Sequence, residues 1–168
     1  MYKWLDERLD LTGLYQKVLR KAFPVHHSFF LGEITLFAFI VLVLTGIFLT
    51  LNFEPSIREV KLPDGRTVPA AYASVLYIDS LPFGAVIRSL HHWSAHVMIA
   101  AAFLHMLRIL LSGAYKKPRE LNYLVGLVLL GLAVVTAFTG YALPYDNYAV
   151  TATRIGYGIA NSIPWVGT

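Results

Sequence analysis

Residues 88–108 read RSLHHWSAHVMIAAAFLHMLR, an apolar run with charge only at its ends, Arg88 and Arg108. His91 and His105 lie fourteen residues apart within it. At about 1.5 Å rise and about 3.6 residues per turn, that interval advances a helix by about 21 Å and nearly completes four turns. The two imidazoles then share one face, about two-thirds of a bilayer core apart. Imidazole is a standard axial ligand for haem iron. A membrane helix with this spacing can hold one haem near each surface and pass electrons across the bilayer.

Composition sets the same environment. Of the 168 residues, 57% are hydrophobic and 14% charged, and the mean hydropathy is +0.58. Soluble domains carry about 25% charge, so the chain reads as membrane-embedded. It has no cysteine, which excludes disulfides, iron–sulfur clusters and thioether-attached haem within this sequence. The net charge of +4 points to membrane orientation and not to nucleic acid.

Working outward, Leu31 to about Asn52 forms a first span with Glu33 as its only charge, and Glu54-Pro55 closes it. Arg88 to about Leu111 forms the second and Leu121 to Tyr141 the third. Residues 53–87 are a polar connection, in which Leu62-Pro-Asp-Gly-Arg-Thr67 carries hairpin chemistry and Ala70–Ile78 suits a short surface helix. Residues 1–25 mix charge with apolar residues at helical spacing and read as an amphipathic surface segment, not a cleavable signal peptide. Residues 26–147 make the three-span membrane domain, and residues 148–168 are amphipathic and too short in apolar length to span. Basic residues gather in the N-terminal segment and in the loop with Lys116, Lys117 and Arg119, which two spans place on one side. The positive-inside rule makes that side, and the N-terminus, cytoplasmic.

Glycines repeat the histidine interval: Gly32 and Gly46 in the first span, Gly126 and Gly140 in the third. In antiparallel neighbours Gly32 and Gly126 share a level with His105, and Gly46 and Gly140 with His91. Taken singly, such glycines suit helix packing; matching intervals on three helices favour close approach of a flat macrocycle. Arg88 and Arg108 each sit three residues beyond a proposed ligand, toward the surface, placed either to pair with a haem propionate or to snorkel. His92 suits a quinone-site polar group or packing beside Trp93. His96 is either an intramembrane functional group or a hydrogen-bonded structural one. His26 and His27 fit interfacial polarity. Glu33 either relays protons or favours the helix start electrostatically.

Several ordered stretches resemble the cytochrome b family, from about Pro24 onward. They are Arg88-Ser-Leu-His91-His-Trp-Ser, Leu104-His105-Met-Leu-Arg108, Lys116-Lys-Pro-Arg-Glu-Leu121, Thr139-Gly-Tyr-Ala-Leu-Pro-Tyr-Asp146 and Ser162-Ile-Pro-Trp-Val-Gly167. The basic loop is similar to the short, b6-like form; Leu31-Gly-Glu-Ile-Thr and His91-His92-Trp93 are similar to high-GC Gram-positive versions. The resemblance implies an all-α integral membrane protein: three transmembrane helices of a di-haem four-helix bundle, an N-terminal surface helix, and short amphipathic helices after the third span. His91 would ligate the low-potential haem on the outer side and His105 the high-potential haem on the cytoplasmic side, both b-type. Quinol would be oxidised at an outer site walled by the stretch Gly140 to Ile155, including Tyr141 and Pro144. One electron would pass to a Rieske iron–sulfur protein, and the other would cross to reduce quinone at the inner side, contributing to proton translocation. The implied setting is a dimeric quinol–cytochrome c oxidoreductase with a cytochrome c-type subunit, in a bacterial plasma membrane, inactive as a lone chain. The bacterial likeness favours menaquinone.

Two departures stand out. Photosynthetic short forms anchor an extra haem through a cysteine early in the first helix, where this chain has Phe30. The family takes a second histidine for each haem from a fourth helix, beyond Thr168; a partner chain supplies it, or the sequence is a truncated piece. The family's later Pro-Glu-Trp-Tyr motif is also absent. Competing readings are a haem-free scaffold or fragment of cytochrome b, a histidine-relay transporter, and the di-haem anchor of another membrane oxidoreductase. Retention of His91, His105, Arg88 and Arg108 argues against the first. Lack of midplane charge argues against the second, and the Lys-Lys-Pro-Arg-Glu loop against the third.

Overall fold

The computed structural model describes residues 30–164; the expected N-terminal surface segment lies outside them. The order is α1 (Leu31–Asn52), β1 (Glu59–Lys61), β2 (Thr67–Pro69), α2 (Ala70–Ser80), α3 (Gly84–Leu111), α4 (Glu120–Ala142) and α5 (Asn147–Ser162). Three of these helices, α1, α3 and α4, are long and apolar enough to cross a membrane. Helix α1 packs chiefly on α3, and α4 lies more lightly against α3. Small residues allow the close α1–α3 approach: Ala38, Thr45 and Ala101 are buried. Large apolar side chains such as Phe37, Leu44, Leu129 and Val135 point outward, which lipid tolerates and water does not.

Threonine hydroxyls inside the spans are satisfied along their own helices. Thr35 donates to Leu31 O at 2.8 Å, Thr50 to Gly46 O at 2.8 Å and Thr136 to Leu132 O at 2.8 Å. Such back-bonding hides a polar group that lipid cannot satisfy.

The connection after α1 forms the expected hairpin. Val60 pairs antiparallel with Val68, and Leu62 N–H donates to Arg66 O at 2.8 Å. Gly65 takes φ +86° at the tip, a conformation that suits glycine. Asp64 accepts the Arg66 backbone N–H at 2.9 Å and its side-chain Nε–H at 2.7 Å. These bonds to the ionised form, the backbone one foremost, hold the Asp64 carboxyl below the usual carboxylate range. Helix α2 buries Ala70, Ser74 and Ile78, a stripe at four-residue intervals that fixes one face inward. Ser74 accepts the Glu54 N–H at 2.9 Å and ties the end of α1 to α2.

Helix α3 starts at Gly84, a turn before the Arg88 expected from hydropathy. Its 28 residues extend about 42 Å, beyond a hydrocarbon core of about 30 Å. Hydropathy marks the membrane surface; the helix itself begins where Phe83, at φ 62°, turns the chain back from α2. A Cβ on Gly84 would collide with the Ile78 carbonyl oxygen. Gly84→Ala should therefore spread this elbow and cost about 3 kcal/mol, the upper end for overpacking. A thermal midpoint of the detergent-solubilised protein equal to the parent's would show that the elbow yields freely.

Past α4, Leu143 and Pro144 break the span, and the Asp146 carboxylate caps α5 by accepting the Ala149 N–H at 2.7 Å. Of the short amphipathic helices expected after the third span, the described residues show one, Asn147–Ser162. It folds back on α4, with Gly156 set against the Phe138 ring, which leaves no room for a side chain there.

Candidate functional site

His91 and His105 both turn toward α1, and each faces one of its glycines. A Cβ on Gly46 would lie 3.4 Å from His91 Cε1, and one on Gly32 3.3 Å from His105 Cε1. The expected pairing of levels is thus a direct contact on the α1 side. On α4 it is not: Gly126 lies against the Met106 sulfur, next to His105, and Gly140 has nothing within 4 Å. Its neighbour Tyr141 sits 6.2 Å, ring to ring, from His92. The third-span glycines thus touch neither histidine.

The two imidazoles differ in their partners. His91 Nδ1 lies 2.8 Å from the Thr45 hydroxyl. His105 Nδ1 is buried with no hydrogen-bond partner among the described residues. A buried unpaired nitrogen costs about 1–3 kcal/mol, a cost that a polar group from beyond the described residues would remove. Two inward-facing imidazoles on one helix, each laid on a bare glycine, fit the axial-ligand requirement of haem iron.

Arg88, weighed for a haem propionate, meets an acidic partner on α2. It forms a two-pronged ion pair with Asp79 of α2, Nε to Oδ1 and Nη2 to Oδ2, both 2.7 Å. Arg108 makes no ion pair among the described residues. Asp79 and Thr45 are the participants that sequence reasoning missed. Asp79 reaches Arg88 only across the α2–α3 elbow, a contact no periodicity announces. Thr45 directly precedes Gly46, and adjacency to a repeat glycine was the signal available.

His92 and His96 face away from α1. His96 Nδ1 lies 2.9 Å from His92 O, the hydrogen-bonded structural option weighed above, and the two rings are 4.7 Å apart. Trp93 closes the cluster, 5.8 Å from the His96 ring. Tyr141, Pro144 and Ile155, expected in the outer quinol wall, lie at the end of α4, in the following turn and on α5; Ile155 is exposed. Glu33 occupies the first turn of α1, where a helix favours negative charge.

A bundle of membrane-spanning helices with two in-line imidazoles turned toward a neighbouring helix defines the class. The sequence profile described as cytochrome b (N-terminal)/b6/petB matches residues 96–168. A cytochrome bc1 complex cytochrome b subunit of Streptomyces coelicolor is 45% identical over 98% of this chain and 32% of its own length. A menaquinol:cytochrome c reductase cytochrome b subunit of Bacillus subtilis is 38% identical over 100% of this chain and 75% of its own. A cytochrome b6 of Heliobacterium mobile is 46% identical over 98% and 74%. Among solved structures, a chain of a hyperthermophilic respiratory Complex III superposes with TM-score 0.72 at 27% identity, covering 99% of this chain and 42% of that one. This chain belongs to the cytochrome b family, membrane electron-transport proteins that bind haem. It spans 32% of the Streptomyces relative's length.

Proposed function

We propose that this chain is the amino-terminal part of the di-haem subunit of a quinol–cytochrome c oxidoreductase. His91 and His105 would each supply one imidazole nitrogen to a haem iron, at the outer and cytoplasmic levels respectively. The observation that carries this is the pair of imidazoles about 21 Å apart along α3, each seated on a glycine of α1. Bound haem supplies a one-electron iron couple. Gly32 and Gly46 would keep α1 free of side chains beside the two imidazoles, and Arg108 would offer a cation to a propionate at the inner level. The second axial histidines come from a fourth helix outside this sequence.

The end of α4 and α5, with Gly140, Tyr141, Pro144 and Ile155, form one wall of an outer quinol site. Menaquinol is the proposed substrate, by likeness to the Bacillus relative's named activity. The proposed partners are a Rieske iron–sulfur protein, a cytochrome c-type subunit and the remaining cytochrome b helices, in a dimeric complex that moves protons. The proposed setting is the bacterial plasma membrane, with the N-terminus and the Lys116–Arg119 loop in the cytoplasm.

A pyridine haemochrome assay on the purified chain, with and without its co-purifying membrane chains, tests this. Two b-type haems per chain should be present only with the partner. No haem in either preparation would leave the polypeptide a scaffold.

A further inference from the structure

We infer that Thr45 lowers the redox potential of the haem held by His91, acting as a positioning residue through the imidazole; the inference rests on the ligand reading proposed above. The Thr45 hydroxyl lies 2.7 Å from Val41 O and 2.8 Å from His91 Nδ1. It has one proton to give and lone pairs to accept with. The Val41 carbonyl can only accept, and bonding to the carbonyl four residues back is the habit of a helical threonine. With that proton committed to Val41, the contact to His91 is a bond only if Nδ1–H is the donor. The Nδ1–H tautomer leaves Nε2 with its lone pair, the form that binds a metal. The opposite assignment would put a proton on Nε2 and block it.

The bond has an electronic consequence. An imidazole donating from Nδ1–H becomes a more basic ligand and favours ferric over ferrous iron. The acceptor is itself strengthened, because the hydroxyl is polarised by its own donation to Val41. Thr45 is only 8% exposed, so water competes little for either bond.

Among the described residues the other level shows no such bond. Fourteen residues before Thr45-Gly46, the same repeat reads Leu31-Gly32. The hydroxyl is replaced by an aliphatic side chain, and His105 Nδ1 has no partner among the described residues. The asymmetry makes the His91 level the weaker electron acceptor.

The test is a redox titration, followed optically and by electron paramagnetic resonance, on membranes carrying the assembled complex. The parent is compared with Thr45→Val and Thr45→Ser, each haem being assigned by its absence in His91→Ala or His105→Ala. Thr45→Val should keep both haems and raise the midpoint of the His91 haem by about 59 mV, a tenfold change in a one-electron equilibrium. The His105 haem should not move, and Thr45→Ser should restore the parent value. Should valine block assembly, Thr45→Ala deletes the same hydroxyl without added bulk and is read the same way. Unchanged midpoints in the variant lacking the hydroxyl, or equal shifts of both haems, would overturn the role of Thr45. Two haems surviving in His91→Ala would instead overturn the ligand reading.

Discussion

His91→Ala will leave the assembled complex with one b-type haem in place of two, and His105→Ala will remove the other. Each substitution deletes a proposed ligand nitrogen, and the α1 residues facing the two imidazoles, Gly32 at one level and Thr45 and Gly46 at the other, carry no side-chain nitrogen to replace it. The loss to the protein itself is small. His91→Ala breaks one hydrogen bond, to Thr45, worth about 1 kcal/mol, and His105→Ala removes a nitrogen that had no partner among the described residues. The bundle should therefore assemble with the remaining level intact. Haemochrome quantitation should fall to half, and one of two low-spin resonance signals should vanish. Retention of both haems in both variants would mean that the ligands lie elsewhere.

The second large effect is steric. Gly32→Val should empty the His105 level and Gly46→Val the His91 level, each while sparing the other. A single Cβ at these positions already comes within 3.3 and 3.4 Å of the imidazoles. A branched side chain there must push the ring off its axis, and overpacking of this kind costs about 1–3 kcal/mol even before ligation is counted. Two glycines of α4 serve as controls. Gly131 has nothing within 4 Å and should accept valine. Gly126 abuts only the Met106 thioether, whose flexibility should absorb an alanine. Two haems in Gly32→Val would show that close approach of the macrocycle to α1 is not required.

Much of this architecture is legible in the residues because lipid is a strict solvent. Charge-free runs of helix length in a polar-flanked chain have few other stable outcomes, and α1 and α4 begin and end within a residue of the apolar runs. The interval from His91 to His105 gives a shared face by helical geometry alone. What the sequence leaves open concerns contacts between elements. The start of α3 at Gly84 depends on a reversal at Phe83, while hydropathy registers only the membrane surface at Arg88. The Asp79–Arg88 pair is made across that same reversal. Equal spacing of Gly126 and Gly140 does not tell which face of α4 they occupy, and neither touches a histidine. Thr45 reads as one more self-satisfied hydroxyl in a span until the fold places His91 beside it.

The unequal packing of the three spans has a mechanical meaning. Among the described residues helix α4 has no buried side chain, whereas α1 and α3 close tightly on each other over Ala38, Thr45 and Ala101. The molecule is thus a rigid strut of two rods with a third rod tethered alongside. In a bilayer the strut can consolidate as soon as both its rods have inserted, since its grip is made of small side chains and backbone contact. The third rod gains its full cohesion only when neighbours on its outward faces arrive. The imidazoles are carried on the strut, so their spacing is settled early in biogenesis, ahead of the surroundings that complete the bundle.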